Sequence, residues 1–254
     1  MRRWLFGCLR AGSLLALVIL ERAFPLRSRR EPLPPRLLRN LSLGAVSFAV
    51  VRGLEQPLVL RAADWAAKHQ QGVLYWLAAP PPVRALLSFL WLDYTLYLWH
   101  RATHQLPALW RLHAVHHSDR DLDLSTAARF HALEMLVSVP YRLVQVVLFG
   151  LDAGEIASWR GWLSASVLFH HSNLRLPYQL ESALALLLVT PRLHGFHHSE
   201  LTHEQHGNWS SVLSVWDRLH GSFVYPSRDA AHVIGVQGLR GSGLDELWLL
   251  PARR

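Results

Sequence analysis

Two stretches of this chain carry histidine at the same spacing: His113-Ala-Val-His116-His117 and His194-Gly-Phe-His197-His198. Thirteen of its sixteen histidines fall between His100 and His206. On a helix, residues three and four apart share a face. His100-Arg-Ala-Thr-His104 therefore forms a third cluster beside the two H-x-x-H-H boxes. A lone i,i+4 pair is commonplace on a solvated helix. The longer pattern occurring twice in one chain points to metal, because neutral imidazole is the commonest protein ligand for iron, zinc, copper and nickel. Cys8 is the single cysteine, so neither thiolate-held metal nor an internal disulfide is available.

The ligand count points to more than one ion. Eight rings from the three clusters exceed what one four-coordinate zinc uses. With His131 and His171 there are ten, enough for two metal ions with positions left open. Spacing alone does not choose between iron and zinc. Carboxylates and amides able to orient the rings through their free N–H are Asp93, Glu134, Asn173, Asn208 and Asp217, with Asp119, Asp121 and Asp123 as further candidates. Asp93 is favoured, because a carboxylate in an apolar segment needs a partner. His170, His203 and His206 could flank the site; His69, His220 and His232 read as ordinary surface or capping residues.

The rest of the composition places this cluster at a membrane. Hydrophobic residues make up 51% of the chain, and it carries eleven tryptophans and a net charge of +8. No nucleic-acid motif accompanies the charge, and the arginines flank apolar runs, as in membrane proteins. Apolar segments cover 5–20, 41–60, 83–99, 133–151 and 156–169, while 182–189 is too short to cross. Arg52 and Glu55 interrupt the second segment. Residues 22–39 read as a loop with six arginines and four prolines, 61–71 as a short amphipathic helix, and Pro80-Pro81-Pro82 as a break. The start, Met1-Arg2-Arg3 before an apolar run, reads as an uncleaved first span. With the six-arginine loop cytoplasmic, all three clusters come to one face. The expected fold is all-α: an integral membrane helical bundle with a cytoplasmic helical cap carrying a histidine-rich dimetal site. Its divisions are N-terminal membrane helices and basic loop at 1–82, a catalytic domain at 83–226 and a C-terminal tail at 227–254.

Longer motifs resemble a known family. Asp93-Tyr94, Trp99-His100-Arg101, His104, Leu109-Trp110-Arg111-Leu112-His113 and His116-His117-Ser118 look like the sterol desaturase/fatty acid hydroxylase superfamily. So do Arg129-Phe130-His131-x-x-Glu134, His171-Ser172-Asn173, Thr190-Pro191-x-x-His194-x-x-His197-His198-Ser199, Asn208 and Trp216-Asp217-Arg218. The resemblance covers about residues 84–226. The chain departs from the family's pattern at Trp209-Ser210 and at His220.

The resemblance implies a membrane-bound di-iron oxygenase. It would use O2 and electrons from a separate donor, ferredoxin or cytochrome b5-like with its reductase, to hydroxylate or desaturate a C–H bond of a lipid, sterol or fatty-acyl substrate. The implied iron ligands are His100, His104, His113, His116, His117, His131, His171, His194, His197 and His198. The implied location is the bacterial inner membrane, with the polar end of the substrate near Arg101, Arg111 or Arg129. A dimetal lipid hydrolase and a non-catalytic metal-binding or transport protein remain open as other readings of the same residues.

Overall fold

A computed structural model describes residues 2–227, 233–239 and 243–252; His232 lies outside them. Helix α1 spans Arg2–Ala23 and α2 spans Leu33–Val50, the latter opening on prolines that its first turn tolerates. A π-helical turn, Val51–Glu55, carries α2 into α3, Gln56–Lys68. A short α4, Val73–Trp76, turns the chain. Then come α5, Pro81–Gln105, and α6, Pro107–His117. A 3-10 turn at Leu124–Ala128 leads to α7, Ala132–Phe149, and α8, Ala153–His171. The short helices α9 (Tyr178–Leu184), α10 (Pro191–His197), α11 (Thr202–Gln205), α12 (Val215–Leu219) and α13 (Leu244–Leu249) complete the chain. Among the described residues there are isolated bridges, such as Leu188 with Leu213, but no strand.

The bundle core forms where α3, α5, α7 and α8 meet. Val59 and Ala63, Leu92, Val146, and Ile156 with Trp159 pack there with Leu74 and Leu151. Asp152 and Glu155 cap the start of α8 reciprocally, and Gly150, at φ +77°, ends α7 in the left-handed region. Packing α5 against α8 brings the last turns of both, with His100, His104 and His171, to one end. There α6 folds back on α5, and α10 packs on α8.

Several expectations change. The segment expected at 41–60 begins at Leu33 and runs on into the helix expected at 61–71. Glu55 does not break it, because the buried carboxylate is neutralised by Arg160 of α8 at 2.5 Å. Among the described residues, two stretches are helical, long and apolar enough to cross a membrane: Leu33–Trp76, which contains the span expected at 41–60, and Ala132–Phe149. On α7, Leu133, Leu136, Val137, Val144 and Leu148 form an exposed apolar stripe at helical spacing.

Part of the basic stretch is not loop. Arg36 lies on α2, fully buried, with its guanidinium held by Asp119 at 2.7 and 2.9 Å, by Asp123 and by Thr126. Asp121 accepts the backbone N–H groups of Arg30 and Glu31. These three aspartates therefore hold α2 and its linker; they do not orient histidine rings. The C-terminal segment is packed, with Leu247 of α13 fully buried against Leu43 and Val115.

Candidate metal centre

The imidazoles gather into two groups, each with ligand atoms within 4.8 Å of one another: His100, His104, His113, His117 and His197, and His116, His171, His194 and His198. Helical geometry explains the division. Residues i and i+4 lie nearly above one another, whereas neighbours point about 100° apart. On α6, His113 and His117 serve the first group and His116 the second; on α10 and its C-cap, His194 and His198 serve the second and His197 the first. Each H-x-x-H-H box thus supplies a pair to one centre and a single ring to the other, reciprocally. His117 and His198 stack where the centres adjoin, centroids 4.2 Å apart.

Proton positions show what these groups can hold. Backbone carbonyls only accept, so a ring nitrogen bonded to one carries the proton. His116 Nδ1 donates to Arg129 O at 3.1 Å and His171 Nδ1 to Val167 O at 2.8 Å. A neutral ring has one N–H, so the Nε2 atoms of both bear lone pairs, and these face each other 3.1 Å apart. In the first group, His100 Nδ1 donates to Trp209 O at 2.7 Å and His197 Nδ1 to Gly207 O at 2.8 Å. Their Nε2 lone pairs also face each other at 3.1 Å.

A second proton does not relieve this opposition. Burial, reinforced by neighbouring rings, holds His116, His117, His194 and His198 well below the usual imidazole range, and burial takes His197 down to about 3. A shared cation relieves it. Two nitrogens about 2.1 Å from one ion, at right angles, lie about 3.0 Å apart. The orphaned atoms agree: both nitrogens of His104 and His117, His113 Nε2, and the Nδ1 atoms of His194 and His198 are buried without a hydrogen-bond partner. The donor set fits a metal ion in each group.

The surroundings fix the rings. Glu134 accepts from His113 Nδ1 at 2.8 Å, which fixes the tautomer and leaves Nε2 facing the group. Asp217, fully buried, accepts from the backbone N–H of Trp209 and Ser210 and from the Ser222 hydroxyl. It thereby holds the loop whose carbonyls receive the His100 and His197 protons. Asn208, at φ +55°, ties that loop to Val224 through both amide atoms. Sequence patterning has no signal for ring-orienting carbonyls, and those of Gly207, Trp209, Arg129 and Val167 were not foreseen.

Other expected site residues stand elsewhere. His131 belongs to neither group: its Nδ1 caps α7 by accepting from Leu133 N, and its Nε2 donates to Trp248 O at 3.3 Å. Both nitrogens are engaged, so no ligand atom remains. Asp93 accepts from Leu213 N and from Trp216 Nε1 at 2.7 Å, pinning the turn before α12 instead of a ring. Asn173 clamps the backbone of Arg27. Arg129 is buried, with its guanidinium spent on Val115 O, Asn40 and Ser118, so it is not at the surface to meet a lipid. His170 is buried with its ring 4.0 Å from that of His194 but outside both groups. His206 is exposed, and with His104 and Trp110 it lines a cavity of about 360 Å³ that leads to the first group.

A fatty acid hydroxylase profile matches residues 85–222. The chain belongs to the fatty acid hydroxylase family, within the sterol desaturase superfamily. It is 29% identical over 204 residues to an ornithine lipid hydroxylase of Rhizobium tropici, covering 80% of this chain and 60% of that protein. It is 30% identical over 172 residues to the Danio rerio alkylglycerol monooxygenase, covering 64% of this chain and 34% of that protein. The human alkylglycerol monooxygenase is 29% identical over 141 residues, covering 54% and 29%. The chain thus spans 60% or less of these relatives. No solved structure matches it.

Two expected results follow from this family site. Glu134→Gln, which exchanges the carboxylate on His113 for a neutral amide, is expected to weaken metal binding about 10–100-fold. Asp93→Asn keeps an acceptor for Leu213 and Trp216 and is expected to leave metal affinity unchanged. Competition against a calibrated chelator measures both. The metal-stripped protein is also expected to lose stability as pH falls from about 6.5 toward about 3. Over that interval the unfolded histidines take protons that buried rings such as His197 refuse. Melting temperature against pH, with chelator present, reads the effect; a flat profile would contradict the neutral-ring assignment.

Proposed function

We propose that the chain is a membrane-bound lipid hydroxylase working with two iron ions held by these nine histidines. When bound, the iron pair supplies O2 activation, using electrons from a separate ferredoxin or cytochrome b5-like donor. The observation that carries the reading is the pairing of neutral, buried Nε2 lone pairs at 3.1 Å in two adjoining groups, in a chain of this family. The relatives' names combine an amphiphilic lipid with an oxygen-inserting reaction.

The chain's own residues do three things for this chemistry. Carbonyls and Glu134 hold the rings in one tautomer, so ligand atoms are aimed before any ion arrives. Burial of eight of the nine rings below one-tenth exposure keeps water from the reacting region. The exposed apolar stripe on α7 and the apolar stretch Leu33–Trp76 support a bundle seated in lipid, and on this reading the histidine end faces the cytoplasm at the inner membrane.

The test is comparative lipidomics of cells with and without the chain, grown under ¹⁸O2. A two-mass-unit gain on one lipid class relative to ¹⁶O2, lost in cells carrying His197→Ala, is expected. Product formed equally well without O2 would favour a dimetal hydrolase and overturn the reading.

A further inference from the structure

Behind the second histidine box, the end of α1, the linker to α2 and the start of α10 border a cavity of about 1030 Å³. Arg27, Arg29, Arg30, Arg120, Arg175 and Arg192 line it, against two acidic residues, Asp121 and Asp123. Both aspartates are spent elsewhere: Asp121 on the backbone N–H groups of Arg30 and Glu31, Asp123 on Arg36 and Ser125. Arg192 is held by Glu181. Among the described residues, Arg29, Arg30, Arg120 and Arg175 have no carboxylate partner.

Arg27 shows that this positive charge is built in. Asn173 clamps its backbone from both sides, and its Nη2 donates to Pro191 O at 3.0 Å. Its Nη1 is sealed from solvent and has no partner. The guanidinium rests directly on Gly195, where a Cβ would come within 1.5 Å of Nη2. Glycine between His194 and Phe196 is therefore what admits the arginine. Burial lowers Arg27 to about 10, so it remains charged at neutral pH. A buried cation with an orphaned donor at the wall of a basic cavity is costly unless an anion nearby compensates its charge.

Part of the lining is apolar. Leu20 of α1 and Phe24 just after it line the cavity, and exposed Leu14, Leu15 and Ile19 extend the apolar surface along the helix. Charge at one end and a greasy helix leading away match an amphiphile.

We propose that this cavity takes the anionic head group, phosphate or carboxylate, of the substrate lipid, with an acyl chain laid along α1. Identifying that lipid as substrate rests on the hydroxylase reading; the head-group site does not. The cavity abuts the backbone of the second histidine box, so a bound head group is anchored against the element that presents His194, His197 and His198.

The test uses the full chain in dodecylmaltoside micelles, stripped of metal, and fluorescent phosphatidylglycerol against phosphatidylcholine with the same chains. Saturable binding of one phosphatidylglycerol per chain is expected, about ten-fold tighter than phosphatidylcholine. Arg27→Gln should remove the preference. So should the combined Arg29→Gln, Arg30→Gln and Arg120→Gln, which changes only exposed side chains and so remains informative if Arg27→Gln misfolds. Equal binding of the two lipids overturns the proposal, as does a preference surviving both variants. Non-saturating binding graded with micelle charge would mean attraction to a charged surface, and inorganic phosphate competing as tightly as the lipid would mean a free-anion site; either overturns it. Because the readout needs no metal, lack of hydroxylation in the loaded enzyme would sink the functional reading without touching this result.

Discussion

His197→Ala is expected to empty one metal group and spare the other, taking the chain from about two bound ions to about one, and product formation to background. His197 is the single ring that α10 gives to the first group, and its Nε2 opposes that of His100 at 3.1 Å. His116→Ala is the mirror experiment, removing the single ring that α6 gives to the second group. Either change leaves the other group complete, with four imidazoles after His197→Ala and five after His116→Ala. Metal analysis of purified protein, alongside product assay, reads both. Loss of both ions together in each variant would show that the groups fill only as a unit; two ions retained in either would remove that histidine from the ligand set.

This reciprocal division was not read from the sequence, although its cause was present there. The spacing of the two boxes says that the rings belong together, and their number points beyond one ion. Which ring joins which group depends on how α6 and α10 face each other, and that is set by the packing of α5 against α8, two helices well separated in the chain. His131 illustrates the limit: it sits within a family motif but ends as the cap of α7, bonded to Trp248 more than a hundred residues later. Asp93 was rightly expected to need a partner, yet its partners are the backbone of Leu213 and the indole of Trp216. The helical content and the break at Pro80 followed from local chemistry. The start of α2 did not, because a proline- and arginine-rich stretch reads as loop until Asp119 and Asp123 are brought to Arg36 by the fold.

That same anchor carries the largest expected effect on stability. Arg36→Met is expected to destabilise the fold by about 3–5 kcal/mol, since removing one partner of a buried ion pair strands the other. Here two buried carboxylates are stranded, Asp119 and Asp123, with Thr126 losing its donor as well. Asp119 shows what the cations do: burial raises a carboxyl, but Arg129 and Arg36 outweigh it and hold this one below the usual range. A carboxylate so lowered contributes stability that is lost as pH falls. The gap in melting temperature between the parent and Arg36→Met should therefore narrow in acid. Adding Asp119→Asn and Asp123→Asn to Arg36→Met should recover part of the loss, because neutral amides tolerate burial without a cation. The damage should also reach the metal. Asp119 holds Asn40 at 2.9 Å, Asn40 holds the Arg129 guanidinium at 2.8 Å, and the Arg129 carbonyl takes the His116 proton. Thermal unfolding in detergent, with chelator competition on the folded fraction, separates the two effects. A melting temperature unchanged from the parent would mean that α2 is held by its apolar face alone, and that the chain from Arg36 to His116 transmits nothing.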